Sequence, residues 1–194
     1  MSFVGGVGYS NIDLIYSGLD RLPDKGEEIF ARGFSMQFGG GIPATMINLS
    51  RLGVESRIIT FAGHDLFSEF VKKTLNSYPV KTVNLYKGNK MPVVLSSTLL
   101  YCGDRSFISY TDGMDLNDAV MDEVYENLKG AYVVDMHVGF LDVYKRLKKD
   151  GCIQIFDTGW EDDLTLEKYR DYLEIADYYI PNQKEAMKIT GTSK

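Results

Sequence analysis

At 194 residues, with 44% hydrophobic and 25% charged residues, the chain has the composition of a globular protein large enough to bury one substantial core. A net charge of −6 with no basic run would repel phosphate backbones, so the sequence predicts no nucleic-acid partner. No apolar stretch reaches membrane-spanning length, and the N-terminus lacks the basic head and apolar run of a signal peptide, which predicts a cytoplasmic protein with no membrane partner.

Cys102 and Cys152 stand in no Cys-x-x-Cys spacing, and His64 and His137 lie far apart. Reduced thiols are predicted, with no disulfide frame and no metal-ligand cluster. Residues 2–7, a short apolar run ending in glycines, read as a first buried strand. The Gly-x-Gly at its end suggests a dinucleotide site only weakly, because residues 11–16 alternate like a strand where such a site needs a helix. Asp13 stands just past the C-terminal end of that strand, where open α/β sheets place ligand contacts; a solvated turn aspartate is the competing reading. Residues 19–38 then read as two antiparallel strands joined by a Pro/Gly turn, and residues 92–101 and 106–110 as a second pair split by Gly103-Asp104. Two such pairs predict a small separate sheet that could act as a lid, with lid strands inserted at about 12–38 and 92–111.

Residues 39–53, Gly-Gly-Gly-Ile-Pro-Ala-Thr-Met-Ile-Asn-Leu-Ser-Arg-Leu-Gly, combine a glycine turn with an amphipathic helix. Pro43 suits the first turn and Gly53 the stop. Free N–H groups at that first turn could meet an oxygen-rich ligand, while the same residues would equally serve a tight turn that packs helix on sheet. From here helices at 43–52, 66–77, 117–128, 141–149 and 166–175 alternate with strands at 56–61, 131–136, 152–156 and 178–180, and a last helix begins near Gln183. The rhythm predicts an α/β fold, a mostly parallel sheet with helices on both faces.

Several separated pieces occur together in order: Asn11-x-Asp13, Leu22-Pro23-x-x-Gly26-Glu27, the run of residues 39–53 with its Arg51-Leu52-Gly53 ending, and Gly63-x-Asp65-x-Phe67. Ala176-Asp177 and Pro181-Asn182-x-x-Glu185-Ala186, with Thr190-Gly191, follow. This arrangement resembles the ribokinase-like family of carbohydrate kinases, also called the phosphofructokinase-B family, over nearly the whole chain. The resemblance implies transfer of the γ-phosphoryl of ATP, with Mg²⁺, to a hydroxyl of a sugar or sugar acid. It implies that Asp13, with Asn11 beside it, holds sugar hydroxyls, that Gly39, Gly40 and Gly41 lie against the sugar, and that the small sheet closes over it. It also implies that Asn182 and Glu185 help position phosphate and Mg²⁺, Glu185 through water. Read without the family, Asn182 and Glu185 are a helix cap and a first-turn acid.

The departures shape further expectations. Ala44 stands where family members commonly carry an Asn that touches sugar hydroxyls, and Asn48, about 6 Å along the axis, is too deep to replace it. Thr45 could supply a hydroxyl, and Ser68 replaces a frequent glycine. His137, at a strand end, could contact substrate or serve as a structural hydrogen-bonder. Trp160 could stack on a ligand or simply pack, and Arg32, Lys87, Lys90 and Arg105 could meet a phosphate or be ordinary surface charge. Nothing in the sequence up to Lys194 matches the family's C-terminal Gly-Ala-Gly-Asp segment, which carries the anion hole and the aspartate base. The resemblance therefore places the catalytic base beyond Lys194. The expectations are an incomplete ribokinase-like domain over residues 1–194, no catalytic base among them, and no turnover of ATP by these residues alone. A homodimer through the lid, a nucleoside or sugar-phosphate acceptor, and a non-catalytic sugar-binding or dimerising protein complete the readings.

Overall fold

The structure, a computed structural model, describes residues 3–159 and 161–192. In chain order its first half holds β1 (Phe3–Val7), β2 (Asn11–Leu19), β3 (Gly33–Gly39), α1 (Gly41–Arg51), β4 (Ser56–Thr60), α2 (Leu66–Asn76), β5 (Lys81–Asn84), β6 (Val94–Tyr101) and β7 (Asp104–Tyr110). Then follow α3 (Asp118–Leu128), β8 (Ala131–Met136), α4 (Leu141–Lys149), β9 (Ile153–Phe156), α5 (Leu166–Ile175), β10 (Tyr178–Tyr179) and α6 (Gln183–Thr190).

Six strands pair in parallel in the order β10-β9-β8-β1-β4-β5. Parallel strands need helices on both faces to bury their apolar side chains, and two cores supply this. Val124 and Leu128 of α3, Val143, Tyr144 and Leu147 of α4, and Tyr169 of α5 pack with Phe3, Val7, Val134 and Phe156 on one face. Met46 and Ile47 of α1 and Val71 and Leu75 of α2 pack with Ile58 on the other. Beside α1, the half-exposed Val133, Ile153 and Ile155 of β8 and β9 share a face with Asp135 by register.

Caps set the helix starts. Asp65 accepts from the N–H groups of Phe67 and Ser68, both at 3.0 Å, and Asn117 accepts from Val120 N at 3.1 Å. Ser68 is fully buried; its hydroxyl donates to Asp65 Oδ2 at 2.6 Å and accepts from Gly63 N at 2.8 Å. A glycine there would leave both groups without that partner.

The remaining strands form one four-stranded sheet, β3-β2-β6-β7. Here the strand limits differ from the sequence expectation. The partner of β3 is β2, from Asn11↔Gly39 to Ser17↔Gly33, and residues 20–32 are a long connection rather than half of a tight hairpin. Alternation carries β2 through to Leu19, while Pro23 to Glu27 closes a local turn: Glu27 N donates to Asp24 O at 3.0 Å and Asp24 N to Glu27 Oε2 at 3.1 Å. The β6–β7 pair is a tight hairpin turning on Cys102 and Gly103, both at positive φ (50° and 78°). Parallel pairing of β2 with β6 joins the two pairs. The edge strand β5, Lys-Thr-Val-Asn, was not expected, because four residues with one apolar side chain carry no periodic signal.

Candidate functional site

In the large sheet the chain runs outward from β1 in both directions, to β4 on one side and β8 on the other. A crevice opens at the C-terminal ends of strands where such a sheet reverses its order. The chain leaves β1 there through Gly8, Tyr9 and Ser10, and the buried Ser10 hydroxyl is pinned to Thr60 Oγ1 at 2.9 Å. That exit launches β2 and carries Asn11 and Asp13 past the C-terminal end of β1.

Asp13 belongs to a polar row that crosses the small sheet: Gln37, Asp13, Ser96 and Ser109 are register partners on successive strands. Asn11 Nδ2 donates to Ser96 Oγ at 3.4 Å, and the Ser96 and Ser109 hydroxyls share a 2.8 Å bond. Burial pushes the Asp13 carboxyl upward, only partly offset by the charge of Arg105 and the Asn11 amide. The carboxylate rests directly on the glycine turn, since a Cβ added to Gly39 would lie 2.8 Å from Asp13 Oδ2. Gly40 sits at φ 104°, where an L side chain is strained, and its Cβ would also meet the Tyr9 carbonyl at 2.9 Å. Gly41 has open space on its side-chain face. Asp13 and the glycine turn therefore share one place.

The start of α1 completes that place. No side chain caps it and no acid stands in its first turn, and its first intrahelical bond is Ala44 N to Gly40 O at 3.0 Å. The earlier N–H groups, on Gly41 and Ile42, stand at the positive end of the helix. Thr45 donates its hydroxyl to Gly41 O at 3.1 Å and also stands against the carboxyl of Asp135 on β8. Burial pushes Asp135 up to about 6; the Thr45 hydroxyl opposes the shift and the charge of Asp157 adds to it. Sequence reasoning missed Asp135. The available signal was an acid inside the otherwise apolar strand Ala-Tyr-Val-Val-Asp-Met.

His137 follows β8. The Tyr144 hydroxyl accepts from its backbone N at 2.8 Å, and its ring lies against Tyr9 and Phe140. Nδ1 is 2.8 Å from the Val138 carbonyl, an acceptor, so Nδ1 carries the proton. Burial lowers the pKa despite that bond, which leaves Nε2 of a neutral ring as an acceptor.

Asn182 and Glu185 lie farther along the sheet mouth, after β10. They form a capping box: Asn182 Oδ1 accepts from Glu185 N and Glu185 Oε2 from Asn182 N, both at 3.0 Å. Glu185 is buried, and its charge adds to burial in raising Asp157. Among the described residues no group of three or more His, Cys, Asp or Glu could hold a metal directly. One buried carboxylate with a neighbouring one fits an ion that keeps its own waters.

Of the cations in or near the lid, Arg32 pairs with Asp20, Lys87 with Glu123 at 2.6 Å, and Lys90 stands near Asp112. Arg105 is the one whose charge reaches Asp13. Asn48 is exposed and accepts from Arg51 Nη1 at 3.5 Å, directed along α1 and away from its start. Trp160 lies outside the described residues, and so does Lys194, past which the resemblance places the catalytic base.

Comparison with known proteins bears on the fold and the family. Over 92 residues the chain is 35% identical to an uncharacterised sugar kinase of Pyrococcus horikoshii, an overlap that covers 45% of this chain and 30% of that protein. The ribokinase of Arabidopsis thaliana, solved with ribose and ATP, superposes with a TM-score of 0.76 at 23% identity, covering 100% of this chain and 65% of that one. The ribokinase of Giardia lamblia does so with a TM-score of 0.83 at 18% identity, covering 100% and 62%. The fold is thus ribokinase-like, and this chain spans less than two thirds of the length of each of these relatives. Residues 1–194 match the pfkB family carbohydrate kinases throughout, so the chain belongs to that family.

Proposed function

We propose that this chain is the acceptor-binding part of an ATP-dependent kinase that moves the γ-phosphoryl onto a hydroxyl of a sugar or sugar acid. The observation that carries the reading is the Asp13 carboxylate seated on the bare backbone of Gly39, beside the uncapped start of α1. A carboxylate there accepts from two hydroxyls at once, and glycines at 39 to 41 let a sugar ring approach the backbone. Asn11 offers an amide, Thr45 a hydroxyl and His137 an imidazole acceptor at the same mouth. Because the small sheet carries Asp13, its closure on a bound sugar would orient the acceptor and exclude water that would otherwise hydrolyse ATP.

Mg²⁺ bound with ATP would neutralise charge on the phosphates. On this chain Glu185 and Asp157 are the carboxylates that would meet it through water, with Asn182 beside them. Residues 1–194 contain no Gly-Ala-Gly-Asp, so we infer that they bind acceptor without turning over ATP. A substantial rate from these residues alone in a coupled assay would refute that. Free Cys102 and Cys152 suit a reducing cytoplasm, where ATP is also available. The outer face of the small sheet exposes Phe34, Met36, Ile108 and Tyr110, and we infer that a second copy covers it.

Thermal shift with a panel of acceptors tests the central reading. Sugars should raise the melting temperature, and Asp13→Asn should abolish the rise. Stabilisation by nucleosides alone would reject it. A sugar-phosphate acceptor is the second reading, favoured by Arg105 beside Asp13.

A further inference from the structure

The fold leaves Asp135 short of donors. It stands one strand from β1, in register with Gly6, on the strand face that α1 overlaps. Among the described residues it forms no ion pair. The Thr45 hydroxyl stands against its carboxyl, and that hydroxyl already donates to the Gly41 carbonyl at 3.1 Å. One hydroxyl has one proton, so two acceptors compete for it. The charge that acts on it, Asp157, has the same sign, and Ala44 brings no polar side chain to the turn.

Asp13, against Gly39, and Asp135, against Thr45, therefore both stand at the start of α1, one on the small sheet and one on the large. Asp13 has a cation, Arg105, to offset it, and among the described residues none offsets Asp135. His137 Nε2 adds a further acceptor at the end of the same strand as Asp135. Groups that only accept hydrogen bonds need a ligand that donates them, and a like charge in a half-desolvated cleft is repelled. We propose that Asp135 is a specificity-determining residue of the acceptor cleft, which takes a hydroxyl or ammonium of the acceptor and turns away acceptors that carry carboxylate or phosphate at that end. This inference rests on the acceptor-site reading above and narrows it to neutral polyols and amino sugars.

The test is calorimetric titration with matched probes: D-ribose, ribonate and ribose 5-phosphate, and D-glucose, glucosamine, gluconate and glucose 6-phosphate. Wild type should bind the neutral or amino member of a set at least about tenfold more tightly than its acid and phosphate. Asp135→Asn should weaken neutral and amino probes about tenfold or more and reduce the discrimination against the acid by a similar factor. Asp13→Asn should weaken every probe while preserving the ratio. A ratio unchanged in Asp135→Asn, or a wild type that prefers the acid, overturns the role of Asp135 while leaving the site intact. Binding unaffected by Asp13→Asn, or no probe bound by wild type, overturns the acceptor-site reading and this inference with it. If Asp135→Asn is unfolded by its ligand-free melt, Asp135→Ser answers the same question.

Discussion

Gly39→Ala separates the role of the Asp13 carboxylate from the stability of the turn. The new Cβ would stand 2.8 Å from Asp13 Oδ2, while ordinary contact begins near 3.4 Å, so the oxygen must retreat by about 0.6 Å. Gly39 does not sit at positive φ, so alanine fits its backbone, and the clashing atom is the tip of a side chain that can turn. Alanine also regains about 0.5–1 kcal/mol of unfolded-state entropy relative to glycine. The melt should therefore move little. A sugar hydroxyl bound to the displaced oxygen at about 2.8 Å would find it near 3.4 Å, where the bond is lost. Loss of one hydrogen bond to a charged group costs about 1.5–3 kcal/mol, or about ten- to a hundredfold in affinity. Gly40→Ala is the contrast: φ 104° and the Tyr9 carbonyl at 2.9 Å leave no side chain to yield, and the strain costs about 1–3 kcal/mol of stability. Calorimetric titration with the most stabilising sugar and a thermal melt of each variant read the two effects. Gly39→Ala with wild-type affinity would refute the placement of the sugar on Asp13.

Asp135 also makes stability depend on pH. Its folded value of about 6 lies above the ordinary 3.8, so the folded chain keeps this proton longer than the unfolded chain. The contribution is greatest below the ordinary value and is lost as pH rises from about 4 to about 6, by at most about 3 kcal/mol, less where water still reaches the carboxyl. Melts across that range should show Asp135→Asn gaining on wild type as pH rises, and parallel curves would exclude the shift. Ser68→Ala removes a buried hydroxyl from Asp65 and Gly63 N and should cost about 1–3 kcal/mol in denaturant unfolding; no loss would mean the hydroxyl is dispensable. Glu185→Gln keeps a group able to close the capping box but removes the charge, so the melt should hold while the Asp157 carboxyl, followed by NMR titration, moves down. An unmoved Asp157 would show that Glu185 does not act on it. Ile108→Lys places a charge on the exposed outer face of the small sheet, and light scattering should show dimer converting to monomer; a wild-type chain monomeric at micromolar concentration would dismiss that interface.

The large sheet was legible because its helices and strands carry strong local signals. The expected spans at 131–136, 141–149 and 166–175 coincide with β8, α4 and α5, each bounded by its own stop or cap. The small sheet was less legible. Which strand pairs with β3 depends on register against a distant segment, and no local pattern distinguishes residues 19–30 from residues 11–19 as that partner. The parallel pairing of β2 with β6 joins segments some eighty residues apart along the chain, a contact that local periodicity does not encode.

The same distinction governs the site. Asp13 and the glycine turn were readable because each has a local peculiarity, an acid at a strand exit and three consecutive residues without Cβ, though only register could bring Asn11 opposite Gly39. Asp135 has an equally local oddity, an acid in an apolar strand, but its meaning comes from a helix that lies some ninety residues earlier and turns Thr45 toward it. Asn182 and Glu185 show the reverse case. Their spacing supports a helix cap and a water-bridged ion equally well, and the structure fills the cap without excluding the ion, because the charge of Glu185 still reaches Asp157. A capping box can be built from glutamine as well as glutamate, and the positive end of α6 adds its own preference for an acid in the first turn. The ion-binding reading of Glu185 stays part of the proposal, resting on its reach to Asp157 at the same sheet mouth as Asp13 and Asp135.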